Sequence, residues 1–255
     1  MIRVENLSYR YDRETPAVLA GIHLSIAEGT HVALLGPNGC GKTTLIKHLN
    51  ALLYPTAGSV RVDGMVTTDP ASVREIRRRV GMVFQNPDSQ IVGMTVEEDV
   101  AFGPGNLALP PAEIRRRVDE CLEAVGLKGF EQRGPHTLSG GEKRLLSIAG
   151  VLAMSPRYIA FDEPTAYLDP AARRRVLAII GRLHREGMTI IHIAHEVRDI
   201  SGADRIVVMD RGSIVIEGPP AEVFGRGDLL GPIGLDCPAT GGAAAEAVLA
   251  SGGLR

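Results

Sequence analysis

Residues 36–43 have the types and spacing needed to bind the phosphates of a nucleotide. Their sequence, Gly-Pro-Asn-Gly-Cys-Gly-Lys-Thr, fits the pattern GxxxxGK followed by Ser or Thr, between an apolar run and a segment with helical spacing. Glycines let backbone N–H groups turn towards phosphate oxygens, and the positive end of the following helix adds to that attraction. Lys42 would bring a charge to the β- and γ-phosphates, and the Thr43 hydroxyl would ligate Mg²⁺. The predicted nucleotide contacts of this segment are Gly36, Pro37, Asn38, Gly39, Cys40, Gly41, Lys42, Thr43 and Thr44.

Two features of this loop allow other interpretations, its glycine spacing and its cysteine. A dinucleotide-binding turn needs glycines in the order GxGxxG, whereas glycines at 36, 39 and 41 give GxxGxG. Cys40 could act as a redox switch, because a helix N-terminus and Lys42 would lower the pKa of its thiol. The interpretation that we favour for Cys40 is a small residue filling a variable position of the loop.

Two adjacent carboxylates, Asp162 and Glu163, follow a second apolar run at 158–161. The first could hold Mg²⁺ at the end of a buried strand, and the second could polarise or deprotonate an attacking water. An acidic turn with no catalytic role would have the same local sequence. Residues 138–142, Leu-Ser-Gly-Gly-Glu, predict a helix whose N-terminus is capped by Ser139. Such a helix end is a second anion-binding site, and its presence favours the catalytic interpretation of the two carboxylates over the plain acidic turn. Two such helix ends in one chain predict a dimer in which each ATP is bound from both sides.

The elements that position these motifs alternate between strand and helix. Helical spacing dominates from about residue 86 to residue 154, and strand patterns occur before and after this region. Strands that alternate with helices imply an α/β fold with a largely parallel sheet, here with a helical insertion. The apolar runs that predict buried strands are 31–35, 80–84, 158–161, 189–193 and 206–209.

Composition narrows the class of protein. The 255 residues are 44% hydrophobic and 23% charged with a net charge of −2, which excludes a disordered chain and argues against a general nucleic-acid coat. Cys40, Cys121 and Cys237 form no CxxC pair, so we expect reduced thiols in a cytoplasmic protein. The first residues lack the apolar stretch of a signal peptide, and the longest apolar run is about half of what a bilayer span needs.

Together these motifs resemble the ATP-binding-cassette (ABC) ATPases over about residues 1–228. The family signature LSGGQ stands here as LSGGE, its loop glutamine as Gln85 in VFQNP, its D-loop as AYLD at 166–169, and its switch histidine as His195 in HIAHE. The resemblance implies a P-loop NTPase (RecA-like) core with an antiparallel β subdomain and an inserted helical subdomain at about 86–155. Residues 229–255 would form a short C-terminal segment and a poorly ordered tail.

The resemblance also implies roles for residues outside the loop. Tyr11 would stack on adenine, Gln85 would touch Mg²⁺ or the water, and His195 would hold the γ-phosphate and the water. Ser139 and Gly141 would complete the ATP site of a second chain. The remaining residues predicted for the nucleotide site are Gly140, Glu142 and Asp169.

Several longer stretches are similar to the ATPase subunits of energy-coupling factor importers, which take up vitamins or transition-metal ions such as cobalt and nickel. These stretches are 47–58, 86–110, 146–154, 162–170 and 229–238. The similarity implies a second ATPase subunit (identical or paralogous), a transmembrane coupling protein and a substrate-binding membrane subunit. The chain would then be peripheral, at the cytoplasmic face of the cell membrane, with no nucleic-acid partner. The alternatives are the ATPase of another ABC transporter type and a soluble, non-transport ABC ATPase acting on DNA or ribosomes.

Three residues depart from the family pattern. Glu142 replaces Gln, Leu145 stands where the signature helix usually has Arg, and Gly105 replaces an acidic residue. Glu142 could alter the strength of the signature, but the presence of all four hydrolytic residues predicts an active enzyme; they are Lys42, Asp162, Glu163 and His195. A groove near residues 85–103 would accept short helices of the transmembrane partner.

Overall fold

The computed structural model describes residues 1–194, 196–200 and 202–235. Its strands are β1 (Ile2–Tyr9), β2 (Leu19–Ile26), β3 (His31–Leu35), β4 (Ala57–Val62), β5 (Met65–Val66), β6 (Val80–Val83), β7 (Tyr158–Asp162), β8 (Thr189–Ile193), β9 (Arg205–Asp210) and β10 (Ser213–Gly218). Its α-helices are α1 (Lys42–Leu49), α2 (Pro70–Arg79), α3 (Val96–Asn106), α4 (Pro111–Val125), α5 (Gly140–Ala153), α6 (Pro170–Arg185), α7 (Pro220–Phe224) and α8 (Gly227–Leu230).

In the part of the chain that the structure describes, the central sheet has six strands in the order β10-β9-β3-β8-β7-β6. All neighbours pair in parallel except β10, which lies antiparallel to β9 at one edge. Every residue of β3, β7 and β8 is buried, as expected for parallel strands that are covered on both faces. Because the strands are parallel, the residues that follow β3, β6 and β7 emerge at the same edge, and these carry the predicted chemistry.

A second sheet is antiparallel, with strand order β2-β1-β4-β5. One apolar cluster joins the inner face of this sheet to α1 and to the central sheet; it includes Leu7, Ile22, Leu45, Leu34 and Ile191. The α/β core and the antiparallel β subdomain that the resemblance implied are therefore confirmed.

Helices α3, α4 and α5 lie between β6 and β7 in the chain, as the helical spacing predicted. Their apolar faces form a second cluster, in which Val100, Leu122 and Leu146 pack together with Val83 and Phe161 of the central sheet. The helical insertion is thus held on the sheet edge that carries β6 and β7. The exact subdomain bounds of about 86 and 155 stay a prediction.

The chain after β10 packs back on the central sheet. Val223 of α7 and Leu230 of α8 are buried in a third cluster with Ile206 and Val208 of β9. Residues 236–255, which include Cys237 and the predicted tail, lie outside the described residues. Within the described part of the chain, no helix has the length and apolar character needed to cross a membrane.

Candidate functional site

The loop between β3 and α1 depends on its glycines. Gly36, Gly39 and Gly41 have φ of 146°, 77° and 107°, a region that residues with a side chain rarely adopt. A Cβ on Gly36 would lie 2.1 Å from the carbonyl oxygen of Met209. Gly41 is the N-cap residue of α1 and has no side chain that could accept a hydrogen bond. The first N–H groups of the helix can therefore donate to a phosphate.

Lys42 carries its charge inside this loop. The side chain is buried, and Nζ donates to the carbonyl oxygens of Gly36, at 2.7 Å, and Pro37, at 2.9 Å. The loop therefore wraps around one ammonium group, which can bind the phosphates that the loop N–H groups attract.

Cys40 fits the interpretation of a small filler. Its thiol is buried, and the sulfur lies 2.8 Å from where a Cβ on Gly36 would stand. Burial raises the pKa of the Cys40 thiol, although Lys42 works in the opposite direction. The lowered thiol pKa that the redox-switch interpretation of Cys40 requires is therefore contradicted, because desolvation of the thiolate outweighs the effect of Lys42.

A hydrogen bond joins the phosphate loop to the end of β7. The Thr43 hydroxyl donates to Oδ1 of Asp162 at 2.8 Å, and the Asp162 carboxylate is buried. Burial raises the pKa of Asp162, whereas the Thr43 hydrogen bond and Lys47 and Lys42 oppose that rise. Hydroxyl and carboxylate oxygens are the ligands that Mg²⁺ prefers, so this donor set fits the ion.

Gln85 and Glu163 meet at the same sheet edge. Nε2 of Gln85 donates to Oε2 of Glu163 at 2.6 Å, although the two residues lie on different segments. Glu163 has a φ of 49°, in the left-handed region. Such a backbone conformation is costly for a non-glycine residue and is often found at functional sites. The pair places one carboxylate, oriented by an amide, directly after Asp162.

Tyr11 lies beside the phosphate loop. Its side chain is 60% exposed, and its hydroxyl is 3.1 Å from Oγ1 of Thr44. Tyr9 supports the ring from one edge, with ring centroids 5.0 Å apart. An exposed aromatic ring fixed next to a phosphate site is suited to stack on a nucleotide base.

Ser139 caps α5 as the sequence predicted. Its Oγ accepts from the Glu142 N–H at 3.3 Å, while Oε2 of Glu142 accepts from the Ser139 N–H at 2.7 Å, which makes a capping box. These hydrogen bonds lower the pKa of Glu142. Glu142 therefore supports the helix end with an acceptor oxygen, and a Gln side chain could supply the same acceptor.

Asp169 caps α6 next to that helix end. Its carboxylate accepts from the N–H groups of Ala171, at 2.8 Å, and Ala172, at 2.9 Å, and these bonds lower the pKa of Asp169. A Cβ on Gly141 would lie 2.7 Å from Cβ of Ala172, so only glycine lets α5 approach α6 this closely. The Gly140 backbone faces open space.

Sequence reasoning missed Arg144. This side chain is 1% exposed, and its two terminal nitrogens donate to the carbonyl oxygens of Phe84 and Gln85. Leu145, the position noted above as a departure, lies in the apolar cluster of the helical insertion. Arg144 directly follows Glu142 and Lys143 in the sequence, so its neighbours gave no sign that this side chain is buried. His195 lies outside the described residues.

Comparison with known proteins gives relatives along most of the chain. The sequence profile of the ABC transporter family matches residues 19–166. The chain is 60% identical over 239 residues to the cobalt import ATP-binding protein CbiO of Syntrophus aciditrophicus, a match that covers 94% of this chain and 85% of that protein. It is 52% identical over 245 residues to the energy-coupling factor transporter ATP-binding protein EcfA1 of Symbiobacterium thermophilum, covering 93% and 85%.

Solved structures show the same fold. CbiO1 from Clostridium perfringens, described as part of the ABC transporter complex cbiONQ, superposes with a TM-score of 0.80 at 35% identity, over 91% of this chain and 93% of that one. A dimeric ATP-binding cassette in a post-hydrolysis state, bound to ADP and Pi, gives a TM-score of 0.77 at 30% identity, over 86% and 98%. The chain therefore belongs to the ABC transporter family, as one of its ATP-hydrolysing cassettes.

Proposed function

We propose that the chain is the ATP-hydrolysing subunit of an energy-coupling factor importer for a vitamin or a transition-metal ion such as cobalt. The proposal that the chain hydrolyses ATP rests on the Gln85–Glu163 hydrogen bond of 2.6 Å, which lies beside the Thr43–Asp162 hydrogen bond. The import role rests on the 60% identity to a cobalt import protein and the 52% identity to an energy-coupling factor protein.

In this proposal the phosphate loop binds MgATP. The backbone of residues 36–41 and Lys42 hold the phosphate oxygens, and Tyr11 stacks on the adenine. Thr43, Asp162 and Gln85 would hold Mg²⁺, which offsets phosphate charge when it is bound. Because Asp162 is buried, it keeps a fixed oxygen at the end of β7 rather than a mobile surface carboxylate.

Glu163 orients the attacking water. Its carboxylate polarises the water for in-line attack on the γ-phosphate and can accept the water's proton. Gln85 fixes the carboxylate through one oxygen. We assign His195 the role of holding the γ-phosphate, on the family resemblance alone.

The N-terminus of α5 completes the ATP site of a second subunit. Ser139 and the backbone of Gly140 and Gly141 form an anion-binding helix end that adds to the phosphate loop of the partner. Two subunits closing on two ATP molecules would move α3, α4 and α5 together, because the apolar faces of these three helices pack against one another.

A groove next to these helices would receive the membrane partner. It is a cavity of about 350 Å³ between the end of α1, β6, α3 and α5, with Met82, Phe84 and Met154 among its lining residues. Val92 at its rim is 58% exposed and nearby Met94 is 81% exposed. A short amphipathic helix of a transmembrane coupling protein fits such an apolar groove. The chain would then lie peripherally at the cytoplasmic face of the membrane.

Uptake by the assembled transporter tests this proposal. Met94→Asp should abolish uptake in cells and the co-purification of the membrane subunits, while MgATP hydrolysis by the isolated ATPase stays within about twofold. Val215→Asp, at another exposed apolar position on β10, is the matched control and should change neither. Normal assembly and uptake with Met94→Asp would contradict the groove assignment. Assembly with membrane proteins that include no separate substrate-binding subunit would contradict the importer type.

A further inference from the structure

We propose that Arg144 is a positioning residue for hydrolysis, which holds Glu163 in place through Gln85 and so links the partner-facing helix α5 to this chain's own catalytic carboxylate. The inference rests on the proposed function, because it assumes that Glu163 orients the water. It adds a residue that the sequence motifs leave out.

The guanidinium of Arg144 makes a two-point contact. Its terminal nitrogens donate to the carbonyl oxygens of two successive residues, Phe84 and Gln85, just after β6 ends. A planar guanidinium that makes two hydrogen bonds fixes both distance and orientation, which a single ammonium cannot do. The contact therefore fixes the backbone of Gln85 relative to α5.

Gln90 holds the same segment from the other side. Its Oε1 accepts from the Phe84 N–H at 3.0 Å, and its Nε2 donates to the Met82 carbonyl oxygen at 3.1 Å. Phe84 is thus bonded through its N–H by Gln90 and through its carbonyl by Arg144. With the backbone fixed in this way, the Gln85 side chain reaches Glu163 at 2.6 Å.

Burying the charged Arg144 guanidinium costs desolvation free energy. Arg144 is 1% exposed, and no hydrogen-bond partner for its Nε occurs in the described part of the chain. Burial lowers the pKa of Arg144, while Asp162 opposes this. An apolar side chain of similar volume would avoid the desolvation cost, so the charge at this place favours a positional role over simple packing.

The ion pair made by the neighbouring residue of α5, Lys143, differs in kind from this contact. Nζ of Lys143 lies 2.6 Å from Oδ1 of Asp88, whose side chain is 63% exposed. Exposed ion pairs of this type contribute little to stability and do not fix the position of the chain. Of these two contacts, the buried one made by Arg144 is the rigid connection.

This geometry connects two ATP sites. The N-terminus of α5 carries Ser139, which contacts the partner's ATP in the proposed dimer, and Arg144 lies on the same helix. A displacement of α5 moves the Phe84–Gln85 backbone and, through the Gln85 amide, the Glu163 carboxylate. Closure on the partner's nucleotide would in this way align the carboxylate of the other site.

Steady-state kinetics of the ATPase tests the role. Arg144→Met and Arg144→Gln should lower kcat about tenfold, since a misplaced catalytic group loses alignment, while KM for MgATP stays within about twofold. KM should hold because the phosphate loop is untouched. Arg117→Met is the matched control: Arg117 joins α4 to the Ala153 carbonyl oxygen of α5 at 3.0 Å, away from Gln85, and its loss should leave kcat unchanged.

A double-mutant cycle separates positioning from general stability. In the Glu163→Gln background, Arg144→Met should cause no further loss in single-turnover hydrolysis, because the group that Arg144 positions is already gone. A multiplicative loss in the double variant, a wild-type kcat in the folded single variants, or unfolding of both single variants would overturn the inference. A wild-type protein with no ATP hydrolysis at all would instead contradict the proposed function.

Discussion

Residues far apart in the sequence form the proposed hydrolytic site, and each one is held by a specific partner. Thr43 bonds Asp162, and Gln85 bonds Glu163. The identities of these four residues could be predicted from motifs, because each motif contains its own chemistry. The partner of Gln85 and the buried Arg144 could not be predicted, since both contacts depend on how α5 packs against the end of β6.

The thiol of Cys40 reports on the phosphate loop. It is buried beside Lys42, with 3.9 Å between sulfur and Nζ, so MgATP in the loop should cover it further. We expect MgATP to slow alkylation of Cys40 by iodoacetamide at least about tenfold, because access and thiolate formation both limit the rate.

Mass spectrometry of the alkylated peptides measures this rate. Cys121, on α4 and outside the nucleotide site, is the internal control, because burial raises the pKa of its thiol to about 11 and MgATP should not alter its slow rate. Equal rates for Cys40 with and without MgATP would place the nucleotide elsewhere.

At the scale of elements, apolar runs predicted β3, β7 and β8, since strands buried on both faces leave a continuous apolar pattern. The start of α5 was predicted from Ser139 and its glycines. The contacts between the two sheets were not predicted from the sequence. Tyr158 at the start of β7 donates its hydroxyl to Asp63 at 2.5 Å, across 95 positions of sequence, and only the topology brings these two residues together.

Two capping boxes make it possible to separate the contribution of Ser139 to stability from its contribution to ATP hydrolysis. Ser139 caps α5 and Thr95 caps α3 with the same pattern of hydrogen bonds to a Glu side chain. Ser139→Ala and Thr95→Ala should each lower the free energy of unfolding by about 1 kcal/mol, the usual value of an N-cap. Only Ser139→Ala should also reduce MgATP hydrolysis.

Urea unfolding and initial rates of ATP hydrolysis measure the two effects on the same samples. Thr95→Ala serves as the control for helix stability. Equal losses of hydrolysis in both variants would show that Ser139 acts only as a cap and would remove it from the nucleotide site.

At the scale of the whole molecule, buried imidazoles make stability depend on pH. His192 on β8 is fully buried and stacks on His31 of β3, with ring centroids 5.8 Å apart. Burial lowers the pKa of His31 to about 4 and of His192 to about 3, from 6.5. Below pH 6.5 these two histidines therefore bind more protons in the unfolded chain than in the folded one. Their contribution to the free energy of unfolding is fully present above about pH 6.5 and is lost as pH falls towards 4.

His192→Leu should flatten the fall of unfolding free energy between pH 6.5 and pH 4, because one buried base is removed. His31, whose pKa is also lowered by burial, remains in this variant and keeps part of the slope. His23→Gln, at an exposed position of β2, is the control and should leave the slope unchanged. Denaturant unfolding at several pH values measures it, and identical slopes in His192→Leu and the wild type would contradict the assignment.

We propose that two subunits hydrolyse ATP together, with Glu163 as the group that activates water. The most direct measurement compares Glu163→Gln with the wild type in MgATP binding, turnover and association state. We predict unchanged MgATP affinity, turnover reduced at least about a hundredfold for loss of a general base, and a dimer that persists in MgATP. Turnover at the wild-type rate in Glu163→Gln would contradict the claim.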